Sequence, residues 1–257
     1  MKIYKIILMF CFIYLLNFSL FSKDNVLIHY HEAGQTEIIK GNKRILIDIG
    51  IPSNLTREMR LKDEVLLTTC RDNDHYDIDF KKDFKGKQLF IEKGEIKTKD
   101  YYIKSISTYY TPDDAAAKSK YTNFIYIIEI GGLRIGHFGD LGIDSFTDEE
   151  LKEIGEVDVA ITQLVHRPSN YSLKNQKGFN IIKQIKPKIV IPTHMDEDNG
   201  DNYNAVVEKG IKMFSGMYSG QKFIELSKSK LPKETTLILS GPMAKAFGKI
   251  YKLEEFK

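Results

Sequence analysis

Leu67-Thr-Thr-Cys-Arg-Asp-Asn-Asp-His75 decides how the chain is read. It puts a thiol, two carboxylates and an imidazole (Cys70, Asp72, Asp74 and His75) directly after the apolar, β-branched run Val65 to Thr69. A strand running into such a cluster delivers polar side chains just beyond its end, where sheets place their chemistry. Two more strand-like runs end the same way: Leu133 to His137 is followed by Asp140, and Lys188 to Ile191 by His194. Asp74, His75, Asp140 and His194 offer two carboxylates and two imidazoles, each available deprotonated near neutral pH. That is a ligand set for one divalent transition metal. Any one of them alone would read as a cap or turn residue.

Outward from this stretch the chain is rich in strands. Val26 to Tyr30, Thr36 to Ile39 and Arg44 to Ile49 precede it, and Gly41-Asn42 predicts a hairpin between the second and third. Ile103 to Thr108, Asn123 to Glu129, Val157 to Leu164, Lys222 to Leu226 and Thr235 to Leu239 follow as further strands. Helices are fewer. Thr147-Asp-Glu-Glu150 is a capping box opening a helix to about Ile154. Phe179 to Ile185 and Asn204 to Phe214 are two more, the latter with Val206, Val207, Ile211 and Phe214 on one face. Periodicity alone gives a layered, sheet-rich α/β domain.

The 38 Lys+Arg nearly balance the 35 Asp+Glu, leaving a net charge of +3, so composition points to no nucleic-acid partner. Lys2 and Lys5 precede an apolar run from Ile6 to Leu16, broken by Asn17 and ending at Ser22-Lys23-Asp24-Asn25. This reads as a signal peptide over residues 1–22 rather than a retained anchor, because the run is short of the roughly 20 apolar residues a bilayer needs. The mature chain, 23–257, is then exported to the periplasm or beyond, as one domain with no stable membrane anchor. Cys11 is lost with the signal, and Cys70 remains as a free thiol.

Leu67 to His75, with Leu133-Arg-Ile-Gly-His-Phe-Gly-Asp-Leu-Gly142 and Ile185-Lys-Pro-Lys-Ile-Val-Ile-Pro-Thr-His194, resembles the metallo-β-lactamase-fold metallohydrolases. The likeness runs from about Val26 to Leu226 and is nearest to the branch of the ascorbate-phosphate lactonases. It implies a four-layer αββα sandwich with metals held by loops at one edge of the two sheets. The family pattern His-x-His-x-Asp-His stands here as Cys70-Arg-Asp72-Asn-Asp74-His75, and the later segment Thr108-Tyr-Tyr-Thr111 has no histidine. By resemblance, Asp74, His75, Asp140 and His194 keep the family's second metal site. Cys70, Asp72 and Tyr110 stand where ligands of the first would be. A thiolate and a carboxylate can bind zinc or iron, whereas a phenol with pKa about 10 is a poor ligand. The expectation is one metal per chain, zinc first, with iron or manganese as alternatives.

His166, trailed by Arg167-Pro168-Ser169-Asn170 after a strand, is a candidate to donate a proton, bind an anionic substrate or replace a missing ligand. Otherwise it is a solvated loop histidine. His29 and His31 lie two apart on one strand and share a face, where packing or hydrogen bonding outweighs ligation. His137 reads as structural support for Asp140. The expected function is an exported hydrolase of a small-molecule ester, lactone, amide or phosphodiester, using a metal-activated water with Asp74, Asp140 and His166 at the reaction. The alternative is a binding protein of the same fold that has lost hydrolysis.

Overall fold

A computed structural model describes residues 25–31, 33–56, 64–117, 122–195, 202–240 and 244–256. The export segment read in residues 1–22 lies outside the described residues, and among these no helix is long and apolar enough to cross a membrane.

Two sheets face each other. The first is built from β1 (Val26–Tyr30), β2 (Thr36–Lys40), β3 (Lys43–Ile47), β4 (Val65–Thr68), β5 (Lys87–Phe90) and β13 (Ile224–Leu226), in the order β13-β1-β2-β3-β4-β5. The second holds β6 (Glu95–Lys97), β7 (Tyr101–Thr108), β8 (Asn123–Ile130), β9 (Leu133–His137), β10 (Val159–Gln163), β11 (Ile189–Thr193), β12 (Gly216–Tyr218), β14 (Thr236–Leu239) and β15 (Glu254–Glu255), in the order β15-β12-β14-β11-β10-β9-β8-β7-β6. Alternate residues of both sheets meet in a dry interior: Val26, Ile28, Ile45 and Leu67 from one, Ile103, Tyr126, Ile161 and Ile191 from the other. Each such side chain contributes about 1.5–3 kcal/mol on burial, so this interior dominates the energetics.

The outer faces carry the helices. On the second sheet lie α3 (Asp148–Ile154), α4 (Lys177–Ile185), α5 (Tyr203–Phe214) and α6 (Ala244–Tyr251), with Ile154, Ile181, Phe179, Val207 and Phe247 turned inward. The predicted capping box closes in both directions between Thr147 and Glu150. Against the first sheet, α1 (Ile78–Asp83) packs Phe80 on Leu46 and Leu66. A short α2 (Pro112–Ala117) follows β7. The result is the expected αββα sandwich.

The pairing directions position the chemistry. β9, β10 and β11 run parallel, so their C-terminal ends leave the sheet at one edge, bringing the loops with Asp140, His166 and His194 side by side. β3 and β4 are also parallel, and their ends deliver Asp48 and the segment from Thr69 to His75. The Phe124 amide donates to the Thr69 carbonyl at 2.9 Å, tying the end of β4 to the start of β8 across the two sheets.

Candidate metal centre

His75 is fully buried. Its Nδ1 lies 2.9 Å from Asp48 Oδ2 and 3.0 Å from Thr69 Oγ1. Thr69 clamps the same carboxylate, its amide donating to Oδ1 and its hydroxyl to Oδ2, both at 2.8 Å. Asp48 sits at φ 53°, a left-handed conformation in which its carboxylate meets both Thr69 donors. A carboxylate behind Nδ1 selects the tautomer protonated there and turns Nε2 forward. That Nε2 lies 3.1 Å from Asp140 Oδ2.

Asp140 follows a turn that only glycine fits well. Gly139 has φ 56°, and a Cβ there would come within 2.3 Å of Asn123 Oδ1 and 2.6 Å of Thr69 Cβ. The buried Asn123 grips both sides of this turn: its Nδ2 donates to the Phe138 carbonyl at 2.9 Å, and its Oδ1 accepts from the Asp140 amide at 3.1 Å. His137 supports the turn from within the core, its Nδ1 accepting from the Gly139 amide at 3.3 Å while Nε2 faces the Gly34 carbonyl at 3.0 Å.

Two more imidazoles converge on Asp140. His166 Nε2 lies 3.7 Å from Oδ2, with Nδ1 held 2.8 Å from Ser169 Oγ. His194 Nε2 lies 3.5 Å from Oδ1, with Nδ1 3.2 Å from Thr193 Oγ1. The His194 backbone is left-handed at φ 52°, and its amide donates to the Ala33 carbonyl and to Tyr30 Oη, both at 3.2 Å. Asp74 stands at the mouth with its side chain 49% exposed, 3.8 Å from both His75 Nε2 and His194 Nε2.

Charge balance follows from this packing. Burial opposes ionisation of Asp140, yet His194 and His75 outweigh it and hold the carboxyl well below its usual range. Burial likewise opposes a charge on His75, but Asp140 and Asp48 on either side raise it well above an ordinary imidazole. Asp140 does the same for His194 against the same opposition. For His166 burial prevails, with His194 and His75 adding to it, and the imidazole is pushed down to about 4 and stays neutral.

These residues fit a divalent cation. Asp140 Oδ1 is buried with no hydrogen bond among the described residues, an arrangement that costs about 1–3 kcal/mol unless a cation satisfies it. Three sets of ligand atoms each lie within 4.8 Å of one another: Cys70, His75 and Asp140; Asp74, His75 and His194; Asp140, His166 and His194. Five of the six residues singled out as metal ligands are thus brought together, and His166, proposed for catalysis, joins them. Asp72 falls in none of these sets; it accepts from Tyr110 Oη at 2.6 Å. Burial pushes the Cys70 thiol up to about 11, against the pull of His75. Sequence reasoning passed over Asn123, Thr69 and Ser169, since a polar residue at a strand end reads equally well as a cap. Asp48 lies inside the strand-like run Arg44 to Ile49, where nothing in the sequence marks it out.

A family model described as "Beta-lactamase superfamily domain" matches residues 27–194, from β1 to the last of these ligands. No curated protein sequence matches the chain. Among solved structures, a Thermotoga maritima protein described as a candidate Zn-dependent hydrolase of the metallo-β-lactamase superfamily is similar at TM-score 0.58 and 20% identity, over 84% of this chain and 100% of that one. Igni18, a metallo hydrolase of Ignicoccus hospitalis, gives 0.51 and 18%, over 72% and 90%. The metallo-β-lactamase fold protein YhfI of Bacillus subtilis gives 0.52 and 10%, over 83% and 96%. At these identities the three speak for the fold.

Proposed function

The chain belongs to the metallo-β-lactamase superfamily, and from that premise we propose an exported hydrolase working through one metal centre, with Asp74, His75, Asp140 and His194 as ligands. The observation that carries the reading is the overlap of the three ligand sets: His75, Asp140 and His194 each belong to two of them, so they describe one centre rather than three. Zinc suits imidazole and carboxylate donors, with iron or manganese as alternatives. A divalent ion held there would acidify a water and polarise the oxygen of a scissile acyl or phosphoryl group.

The chain's own groups have distinct tasks. Asp74, half exposed at the mouth, is placed to orient the attacking water and accept its proton. Asp140, buried among three imidazoles, fixes their directions. His166 is neutral; when the Ser169 hydroxyl donates to its Nδ1, its Nε2–H is left as a hydrogen-bond donor to developing charge on a leaving oxygen. The substrate class is a small-molecule ester, lactone, amide or phosphodiester. The branch of the ascorbate-phosphate lactonases acts on cytoplasmic phosphosugars, so an exported relative calls for another substrate.

Elemental analysis of purified protein beside a panel of these four bond types tests this. Asp140→Ala and His194→Ala should each remove one metal equivalent and all hydrolysis. Wild-type metal content in both variants would show the ligand set to be wrong. Metal bound at the centre with no hydrolysis of any bond type would favour the binding-protein reading. For export, N-terminal sequencing of the native protein should find a chain starting near Lys23; a soluble cytoplasmic pool starting at Met1 or Lys2 contradicts it.

A further inference from the structure

On the outer face of the first sheet lies a second group of ligand atoms, independent of the Asp140 centre. β1 alternates, so Val26, Ile28 and Tyr30 turn to the interior while His29 and His31 turn outward. Antiparallel pairing sets His29 directly opposite Glu37 of β2. The two imidazole centroids are 4.1 Å apart. His31 Nε2 lies 2.9 Å and His29 Nδ1 3.9 Å from the same oxygen, Glu37 Oε1.

Glu37 is immobilised: the Thr56 amide donates to Oε1 and the Thr56 hydroxyl to Oε2, both at 2.8 Å, and Arg44 Nη1 donates to Oε2 at 3.0 Å. His29 Nδ1 is different. It is buried and has no hydrogen bond among the described residues, although it points toward a carboxylate.

We propose that His29 Nδ1, His31 Nε2 and Glu37 Oε1 form a structural site for a divalent transition metal. Tetrahedral bonds of about 2.0–2.1 Å set ligand atoms about 3.3 Å apart, and the observed 2.9 and 3.9 Å bracket that spacing. Protonation states suit it. Burial first, then His31, pushes His29 down to about 4, leaving a free lone pair at neutral pH. Burial opposes the charge on Glu37, but hydrogen bonds from His31 and Thr56 and the Arg44 guanidinium outweigh it and hold the carboxyl at about 2. Arg44 also donates to Glu64 at 2.9 Å, so one guanidinium is shared by two carboxylates. Lys222 adds an opposing positive field. His29 and His31 are 15% and 8% exposed, which leaves an entry path and a fourth position for water. Between them, Tyr30 accepts from the His194 amide on the opposite face, so a metal here stiffens the strand on which His194 leans.

Zinc(II) is the probe, in equilibrium dialysis against the full chain. Asp140→Ala combined with His194→Ala removes the inner centre; this variant should still bind one zinc per chain. Adding His29→Gln and His31→Gln should take the content to zero, with folding checked by circular dichroism. In the first variant, zinc should also shift the His29 Nδ1 and His31 Nε2 nitrogen resonances, which a hydrogen-bonded pair alone would not show. The proposal is overturned if the first variant binds no zinc, or if the added substitutions leave its zinc content unchanged. Should the four-fold variant not fold, His29→Gln added alone to the Asp140→Ala/His194→Ala chain decides, because its Nδ1 has no hydrogen bond to lose. Retained zinc there also overturns the proposal.

Discussion

His75 shows how one side chain is set by what lies behind it. Asp48 at 2.9 Å and Thr69 at 3.0 Å hold Nδ1, so Nε2 cannot turn from Asp140 without breaking both contacts. Asp48→Asn keeps the shape but removes the carboxylate, and the expected result is a 10- to 100-fold loss of zinc affinity with the fold intact. Chelator competition measures it; unchanged affinity would mean Asp48 is only a turn residue. Cys70 tests the other flank. Its sulfur lies within 4.8 Å of the ligand atoms of His75 and Asp140, and a bound cation would lower the pKa of so buried a thiol. Cys70→Ala should therefore reduce the preference for zinc over manganese at constant stoichiometry. A buried apolar role predicts unchanged selectivity and a stability cost of about 1 kcal/mol. Asp74, His75, Asp140 and His194 were legible because each follows an apolar run at a spacing shared with a known family. Asn123 was not: its task depends on β8 meeting the end of β4, a contact between segments far apart in sequence.

At the scale of elements, the β2–β3 hairpin was readable from Gly41-Asn42, and the adjoining β1–β2 pairing is what sets His29 opposite Glu37. With metal removed by chelation, this pairing makes stability depend on pH. His29 titrates near 4 when folded against 6.5 ordinarily, so as pH falls the unfolded chain takes up the proton first. The stabilisation is full above about 6.5 and is lost toward pH 4. Glu37, near 2 against 4.5, loses its share at lower pH, as the medium passes from 4.5 toward 2. Urea melts from pH 7 to 4 should show the first loss, and His29→Gln should remove its share of the slope while leaving the shares of His166 and His137, held low, and of His75 and His194, held high. An identical pH slope in both proteins would contradict the burial of His29. Elements with weaker signals escaped sequence reading. β12 and β15 span three and two residues, too few for alternation to show, and α1 lies in a lysine-rich stretch of six residues whose one buried side chain is Phe80.

Over the whole molecule, the centre exists because two sheets end at one edge. Asp48 and the segment carrying Cys70, Asp74 and His75 leave the first sheet there, while Asp140, His166 and His194 leave three adjacent parallel strands of the second. A cation among them would link both halves of the sandwich, and the ligand sets that share His75, Asp140 and His194 support the proposal of a single centre at that edge. The measurement that bears on this most directly is the zinc content of the His29→Gln/His31→Gln chain, in which only the inner centre remains. It should be one zinc per chain, falling to none when Asp140→Ala is added. Two zinc ions per chain, or one that survives the loss of Asp140, would contradict a single centre built around that carboxylate.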